Sequence, residues 1–193
     1  IDALPTYKAG KQVPAVDGLV PYKLSSNEIA FSPLPSVIEA INSHAHEINR
    51  YPDPLATELL QALATKLNVS LEHIATGTGS VGICQQIVQA VADADDEVIF
   101  AWRSFEAYPI IVDIAGARAI AVPLHEDGSH DLSAMADAVT ERTRVIFLCT
   151  PNNPTGNIIT QQEFDAFIAR IPSSVLVVID EAYVEFNRST DAV

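Results

Sequence analysis

An amide, a carboxylate and a phenol stand at the ends of two apolar runs. The first run, Val145 to Cys149, leads into Thr150-Pro151-Asn152-Asn153-Pro154-Thr155-Gly156, and the second, Val175 to Ile179, leads into Asp180-Glu181-Ala182-Tyr183. Short continuous apolar runs read as strands buried on both faces of a parallel sheet. Open α/β sheets bind ligands at the carboxyl ends of such strands. Asn153, Asp180 and Tyr183 are therefore expected in one neighbourhood, with no lysine or histidine among them. That set suits holding a heteroaromatic cofactor better than attacking a substrate.

A glycine loop offers a second group of candidates. Gly77-Thr78-Gly79-Ser80-Val81-Gly82 matches the G-x-G-x-x-G pattern, after a short strand and before a helix. A dinucleotide site would want an acid at the end of the next strand. The chain has Ala101-Trp102-Arg103 there, so only a 2′-phosphate on Arg103, as in NADP, stays open. A nucleotide triphosphatase could use Leu176 to Glu181 as its acidic strand, but no Lys follows the glycines. A phosphate cup needs only small residues and a helix start: backbone N–H groups at Gly79, Ser80 and Val81 approach an anion, and the Ser80 hydroxyl donates as well. A plain tight turn with Ser80 as N-cap is the alternative. Taken with the two later segments, the phosphate cup is favoured.

The elements that must position these groups alternate. Apolar residues recur at helical spacing from Val37 to Ile48, and Thr57 to Leu67 is amphipathic with Leu59, Leu60, Leu63 and Leu67 on one face. His73 to Thr76 reads as a short strand and Ser80 to Ala92 as a helix. Strands follow at Val98 to Trp102 and Arg118 to Leu124, with a helix from Ala107 to Ala115 between them. Ser133 to Val139 is a helix before the strand at Val145, and Thr160 with Glu163 forms a capping box for a helix to Ile171. This is an α/β chain with a mostly parallel sheet and helices on both faces. Residues 1 to about 35 carry Pro5, Pro14, Pro21, Pro33 and Pro35 and read as an extended arm.

Bulk properties narrow the function. The 193 residues carry a formal charge of −14, which argues against nucleic acid and anionic membrane surfaces as partners. The acidic cluster Asp93, Asp95, Asp96 and Glu97 reads as a solvated helix-to-strand turn, without the spacing of a calcium loop. Cys84 and Cys149 lie in apolar runs, as buried reduced thiols of a cytoplasmic protein would. His44 and His46, two apart on a helix, face different sides and make a poor metal pair. No metal site is expected. No apolar stretch has membrane-spanning length.

The PNNPTG and DEAY segments resemble the fold-type I aminotransferases that use pyridoxal 5′-phosphate, and the resemblance runs through essentially all of the chain. Leu24-Ser25-Ser26-Asn27-Glu28, Asn49-Arg50-Tyr51-Pro52-Asp53 and Asp180 to Phe186 are similar to the histidinol-phosphate aminotransferase branch. Ala101 to Tyr108, reading AWRSFEAY, is more like the actinobacterial aromatic amino acid (phenylalanine) aminotransferases. The glycine loop departs from the histidinol-phosphate pattern.

The resemblance implies roles. Asp180 would sit beside the pyridine nitrogen, with Asn153 and Tyr183 donating to the ring's phenolic oxygen. Gly79, Ser80 and Val81 would hold the phosphate. Tyr108, or else Phe105, would stack on the ring. Tyr51 would cross a homodimer interface to the neighbouring subunit's cofactor phosphate, Asn27 would line the substrate pocket, and Asn152 would be a turn residue. Residues 1–35 would belong to the small domain, and 36–193 to the N-terminal part of the large cofactor-binding domain. The implied activity moves an amino group between an aromatic amino acid and a 2-oxo acid, with histidinol phosphate as the alternative substrate. The family's Schiff-base lysine lies downstream of DEAY, whereas the lysines here are Lys8, Lys11, Lys23 and Lys66. The chain is therefore expected to be a fragment that does not catalyse transamination alone.

Overall fold

The computed structural model describes residues 14–23 and 26–193. Leu24 and Ser25 of the LSSNE stretch, and residues 1–13 of the expected arm, lie outside the described residues. The chain divides into two compact units, and the described parts of these are residues 14–23 with 26–76, and 77–193.

The larger unit, residues 77–193, is built on a four-stranded parallel sheet. Its strands are β1 (Glu97–Trp102), β2 (Arg118–Pro123), β3 (Thr143–Cys149) and β4 (Leu176–Asp180), in the order β2-β1-β3-β4. Alternation along the central strands sorts their side chains between two cores. Val98, Phe100, Val145, Phe147 and Cys149 face helices α3 (Gly79–Val91) and α4 (Ala107–Ala115). Ile99, Ala101, Ile146 and Leu148 face α5 (Leu132–Asp137) and α6 (Gln161–Ile168). Both faces of β1 and β3 are thus buried, which is why their sequences are uninterrupted apolar runs. Each large side chain buried this way stabilises the fold by about 1.5–3 kcal/mol.

Caps and turns are written locally. Thr160 accepts from the Glu163 N–H while the Glu163 carboxylate accepts from Thr160, completing the expected capping box. The acidic turn after α3 is solvated at Asp93 and Asp95 but not at its end. Glu97 is buried, accepts from the Thr140 hydroxyl and faces Arg118 at 3.6 Å. It opens β1, so it tethers neighbouring segments where a solvated acid was expected.

The second unit contains α1 (Pro35–His44), a short 3₁₀ turn at Ala45–Glu47, α2 (Thr57–Leu67) and another 3₁₀ turn at Leu71–His73. Asp53 caps α2 from outside, accepting from the Thr57 N–H at 2.8 Å and the Leu55 N–H at 3.0 Å. Hydrogen bonding by the Thr57 side chain first, and then by these two N–H groups, holds the Asp53 carboxyl below its ordinary range. The strand expected at His73 to Thr76 does not form: His73 ends a 3₁₀ turn and Ile74 to Thr76 pair with no strand among the described residues. A strand exists only through a partner, and periodicity over four residues carries no information about one.

Candidate active site

The strand order makes a crevice. From β1 the chain moves outward to β2, then returns to the other side of β1 to lay down β3. The carboxyl ends of β1 and β3 are therefore the topological switch point, where flanking loops diverge and leave room for a ligand. A pocket at this end is lined by Ser80, Phe105, Cys149, Asn153, Asp180, Ala182 and Tyr183.

Each wall comes from a different element. Asp180 is the last residue of β4, paired in register with Cys149 of β3, so both side chains lie on the α3/α4 face of the sheet. Asp180 is 6% exposed, and it takes part in none of the ion pairs among the described residues. Its Oδ2 accepts from the Tyr108 hydroxyl at 2.8 Å and its Oδ1 from the Ala182 N–H at 3.2 Å. Its carbonyl accepts from the Thr150 N–H at 3.1 Å, joining the β3 and β4 loops.

Asn153 reaches the pocket through a loop that its neighbour holds. Asn152 is buried; its Oδ1 accepts from the Ser104 hydroxyl at 2.7 Å, and its Nδ2 donates to the Arg103 carbonyl at 3.2 Å and to Thr155 Oγ1 at 2.9 Å. Its backbone closes the loop, with Asn152 N–H donating to the Asn157 carbonyl and Gly156 N–H donating to the Asn152 carbonyl, both at 2.7 Å. Asn152 is a turn residue, as expected, but its side chain also clamps the β1 loop to the β3 loop. Nothing in a dipeptide of two asparagines distinguishes these duties.

The glycine loop opens α3. Gly79 has φ +72°, a left-handed conformation that only glycine adopts cheaply, and a Cβ on Gly82 would meet Thr78 Oγ1 at 2.8 Å. Thr78, not Ser80, is the N-cap residue, and it makes no side-chain cap bond. Ser80 lies in the first turn and lines the pocket, while Val81 beside it is exposed. The absence of a strand before this loop removes the context that a dinucleotide fingerprint requires. Arg103, the candidate for a 2′-phosphate, lies over the Trp102 ring at 4.9 Å and pairs with Glu106 at 3.5 Å.

The two aromatic candidates exchange places. Tyr108 has no exposed surface, and its ring stacks on Phe147 with centroids 4.7 Å apart and planes 8° apart. It has no free face for a ligand. Phe105, one turn earlier, lines the pocket and meets Tyr108 edge-on at 5.6 Å. Tyr108, expected at the ring, is thus buried away from the pocket, and Phe105, the alternative, lines it. Burial pushes the Tyr108 phenol well above its ordinary value, with Cys149 and Asp180 adding to the rise, so it stays a proton donor. Burial likewise pushes the Cys84 thiol up to about 12 and raises Cys149. Both cysteines are free, and neither supplies a nucleophile at neutral pH.

Tyr51 and Asn27 belong to the second unit. Tyr51 follows the first 3₁₀ turn and is fully exposed, and Asn27 is an exposed turn residue with φ 50°. Among the described residues there is no group of three or more metal-ligating side chains, and no helix long and apolar enough to cross a membrane.

A parallel α/β sheet brings an acid, an amide and a phenol together at its switch point. The chain belongs to the family Aminotransferase class I and II, whose profile matches residues 21–193. It is 55% identical to the aromatic amino acid aminotransferase of Streptomyces coelicolor over 191 residues, covering 99% of this chain and 53% of that one. It is 52% identical to the aromatic amino acid aminotransferase of Corynebacterium glutamicum over 188 residues, covering 97% and 54%. Among solved structures, histidinol-phosphate aminotransferase from Sinorhizobium meliloti in complex with pyridoxal-5′-phosphate superposes with a TM-score of 0.80 at 34% identity, over 87% of this chain and 46% of that one. The chain spans about half the length of the curated relatives it matches.

Proposed function

We propose that this chain supplies the N-terminal half of an aromatic amino acid aminotransferase that works with pyridoxal 5′-phosphate. The observation that carries the proposal is Asp180: a carboxylate 6% exposed, in a pocket, with no cation paired to it among the described residues. A buried carboxylate with no cation beside it is costly, and a protonated pyridine nitrogen is the cation this carboxylate fits. When bound, the cofactor supplies an electron sink for the carbanion formed at the substrate's α-carbon. The protein's share is to hold and orient. Asp180 keeps a proton on the ring nitrogen, and Asn153 Nδ2 and the Tyr183 hydroxyl donate to the ring's phenolic oxygen. Phe105 walls one side. Ser80 and the N–H groups at Gly79, Ser80 and Val81 receive the phosphate at the positive end of α3.

The reading extends to parts that the chain holds elsewhere. We assign residues 1–35 to the small domain and 36–193 to the large domain of the whole enzyme. The enzyme acts as a homodimer in which Tyr51 donates to the neighbouring subunit's cofactor phosphate, and Asn27 lines the substrate pocket. Two free buried thiols support a reducing, cytoplasmic setting. Residues 181–193 contain no lysine.

The names of the relatives above 50% identity support an aromatic amino donor. Histidinol phosphate is the second reading, favoured by the structural neighbour at 34% identity. The test uses a protein of the relatives' full length that carries this chain, loaded with pyridoxal phosphate, its visible absorbance followed as each amine is added. A change with L-phenylalanine alone supports the proposal. A change at far lower concentration with L-histidinol phosphate replaces the substrate. No cofactor absorbance in the loaded protein sinks the cofactor assignment.

A further inference from the structure

We infer that Tyr108 is a positioning residue for the cofactor: its hydroxyl holds the Asp180 carboxylate in the orientation that meets the pyridine nitrogen. The inference rests on the pyridoxal phosphate reading above and deepens it. Tyr108 lines no part of the pocket; it works from beneath, through Asp180.

The Tyr108 ring is fixed on three sides. Phe147 stacks on it at 4.7 Å, Phe105 meets it edge-on at 5.6 Å, and Phe100 lies tilted at 5.8 Å. A ring held this way delivers its hydroxyl to one place, and Asp180 Oδ2 is there at 2.8 Å. The second donor to Asp180, the Ala182 N–H on Oδ1, is longer at 3.2 Å and sits on the exposed segment after β4. Without the phenol, one long bond would define the carboxylate's direction. Packing alone does not explain a tyrosine here, because phenylalanine would fill the same core and leave Oδ2 unbonded.

The electrostatics agree. The other titratable groups facing Asp180 are the thiols of Cys84 on α3 and Cys149 on β3, both raised by burial and hence neutral, with Tyr183 across the pocket. No described cation competes for the carboxylate. A neutral donor that never loses its proton can orient Asp180 without cancelling its charge, which a lysine or arginine at this position would do.

The test compares cofactors in the full-length apoenzyme. Dissociation constants are measured by fluorescence titration for pyridoxal phosphate and for an analogue with a C–H in place of the ring nitrogen. Tyr108→Phe should weaken pyridoxal phosphate about tenfold, the worth of one hydrogen bond to a charged group, and leave the analogue's affinity within about twofold. Turnover should fall with the amino acid's KM little changed. Phe147→Leu, which disturbs the same core but spares the hydroxyl, should affect both ligands alike. Equal losses for the two ligands with Tyr108→Phe, or no loss for either, would overturn the inference. A parent protein that binds no pyridoxal phosphate would overturn the cofactor reading itself, and this inference with it.

Discussion

Asp180 and Asn152 show how two buried polar residues divide the work of a site. Asp180 is held by one side chain and one backbone amide and has no cation partner among the described residues. Replacing it with Ala in the full-length enzyme should lower transamination at least a hundredfold, the scale of losing a group aimed at developing charge. Near-normal steady-state turnover would remove Asp180 from the chemistry. Asn152 is not among the residues lining the Asp180 pocket and binds three partners across two loops. Asn152→Ala would leave the buried Ser104 hydroxyl and Arg103 carbonyl without that partner, so a loss of about 1–3 kcal/mol in urea unfolding is expected. The affinity for pyridoxal phosphate should also fall, because Asn153 is carried by the same loop. Unchanged stability would mean water replaces the amide.

At the scale of elements, the segment leading into α5 carries a titratable group with a stability consequence. His130 is 8% exposed, its Nε2 has no hydrogen-bond partner among the described residues, and burial pushes its pKa down from 6.5 to about 4. A depressed histidine is neutral in the fold, so the unfolded chain takes up the proton first and acid favours unfolding. Stability should therefore fall as pH drops from about 6.5 towards 4, by at most about 3 kcal/mol from this residue. Urea midpoints of the parent and of His130→Phe, taken at pH 7 and pH 4.5, isolate that share from the carboxylates. The variant should lose less on acidification, and parallel losses would show that His130 is already solvated. Other elements of the same unit are legible from local sequence. Continuous apolar runs and the Thr160–Glu163 box are local facts, and they became β3, β4 and α6.

At the scale of the whole molecule, the proposed active site is shared between two subunits. Tyr51 is fully exposed in the second unit. If it completes a partner's phosphate site, Tyr51→Ala and Asp180→Ala proteins should each be impaired, and unfolding and refolding them together should restore activity. Random pairing gives half mixed dimers with one intact site each, hence about a quarter of the parent activity. A mixture that stays at the average of the two variants would place Tyr51 outside the partner's site. The −14 charge of this chain bears on none of this geometry.

What the sequence by itself determined was local: which runs are apolar enough to be strands, where helices start, and which polar groups follow the strand ends. Those features depend on residues a few positions apart, so spacing alone exposes Asn153, Asp180 and Tyr183 as a set. Tertiary structure decided everything that depends on which surface faces which. Phe105 and Tyr108 are one helical turn apart and chemically alike, and only the path of α4 across the sheet sends one to the pocket and the other beneath Asp180. Asn152 and Asn153 are neighbours whose fates part because one points back to the β1 loop. Glu97 looked solvated among its acidic neighbours and is buried because β1 starts there, between Arg118 and Thr140. Segment 73–76 has the pattern of a strand and lacks the partner, and a partner is a property of the fold rather than of the segment.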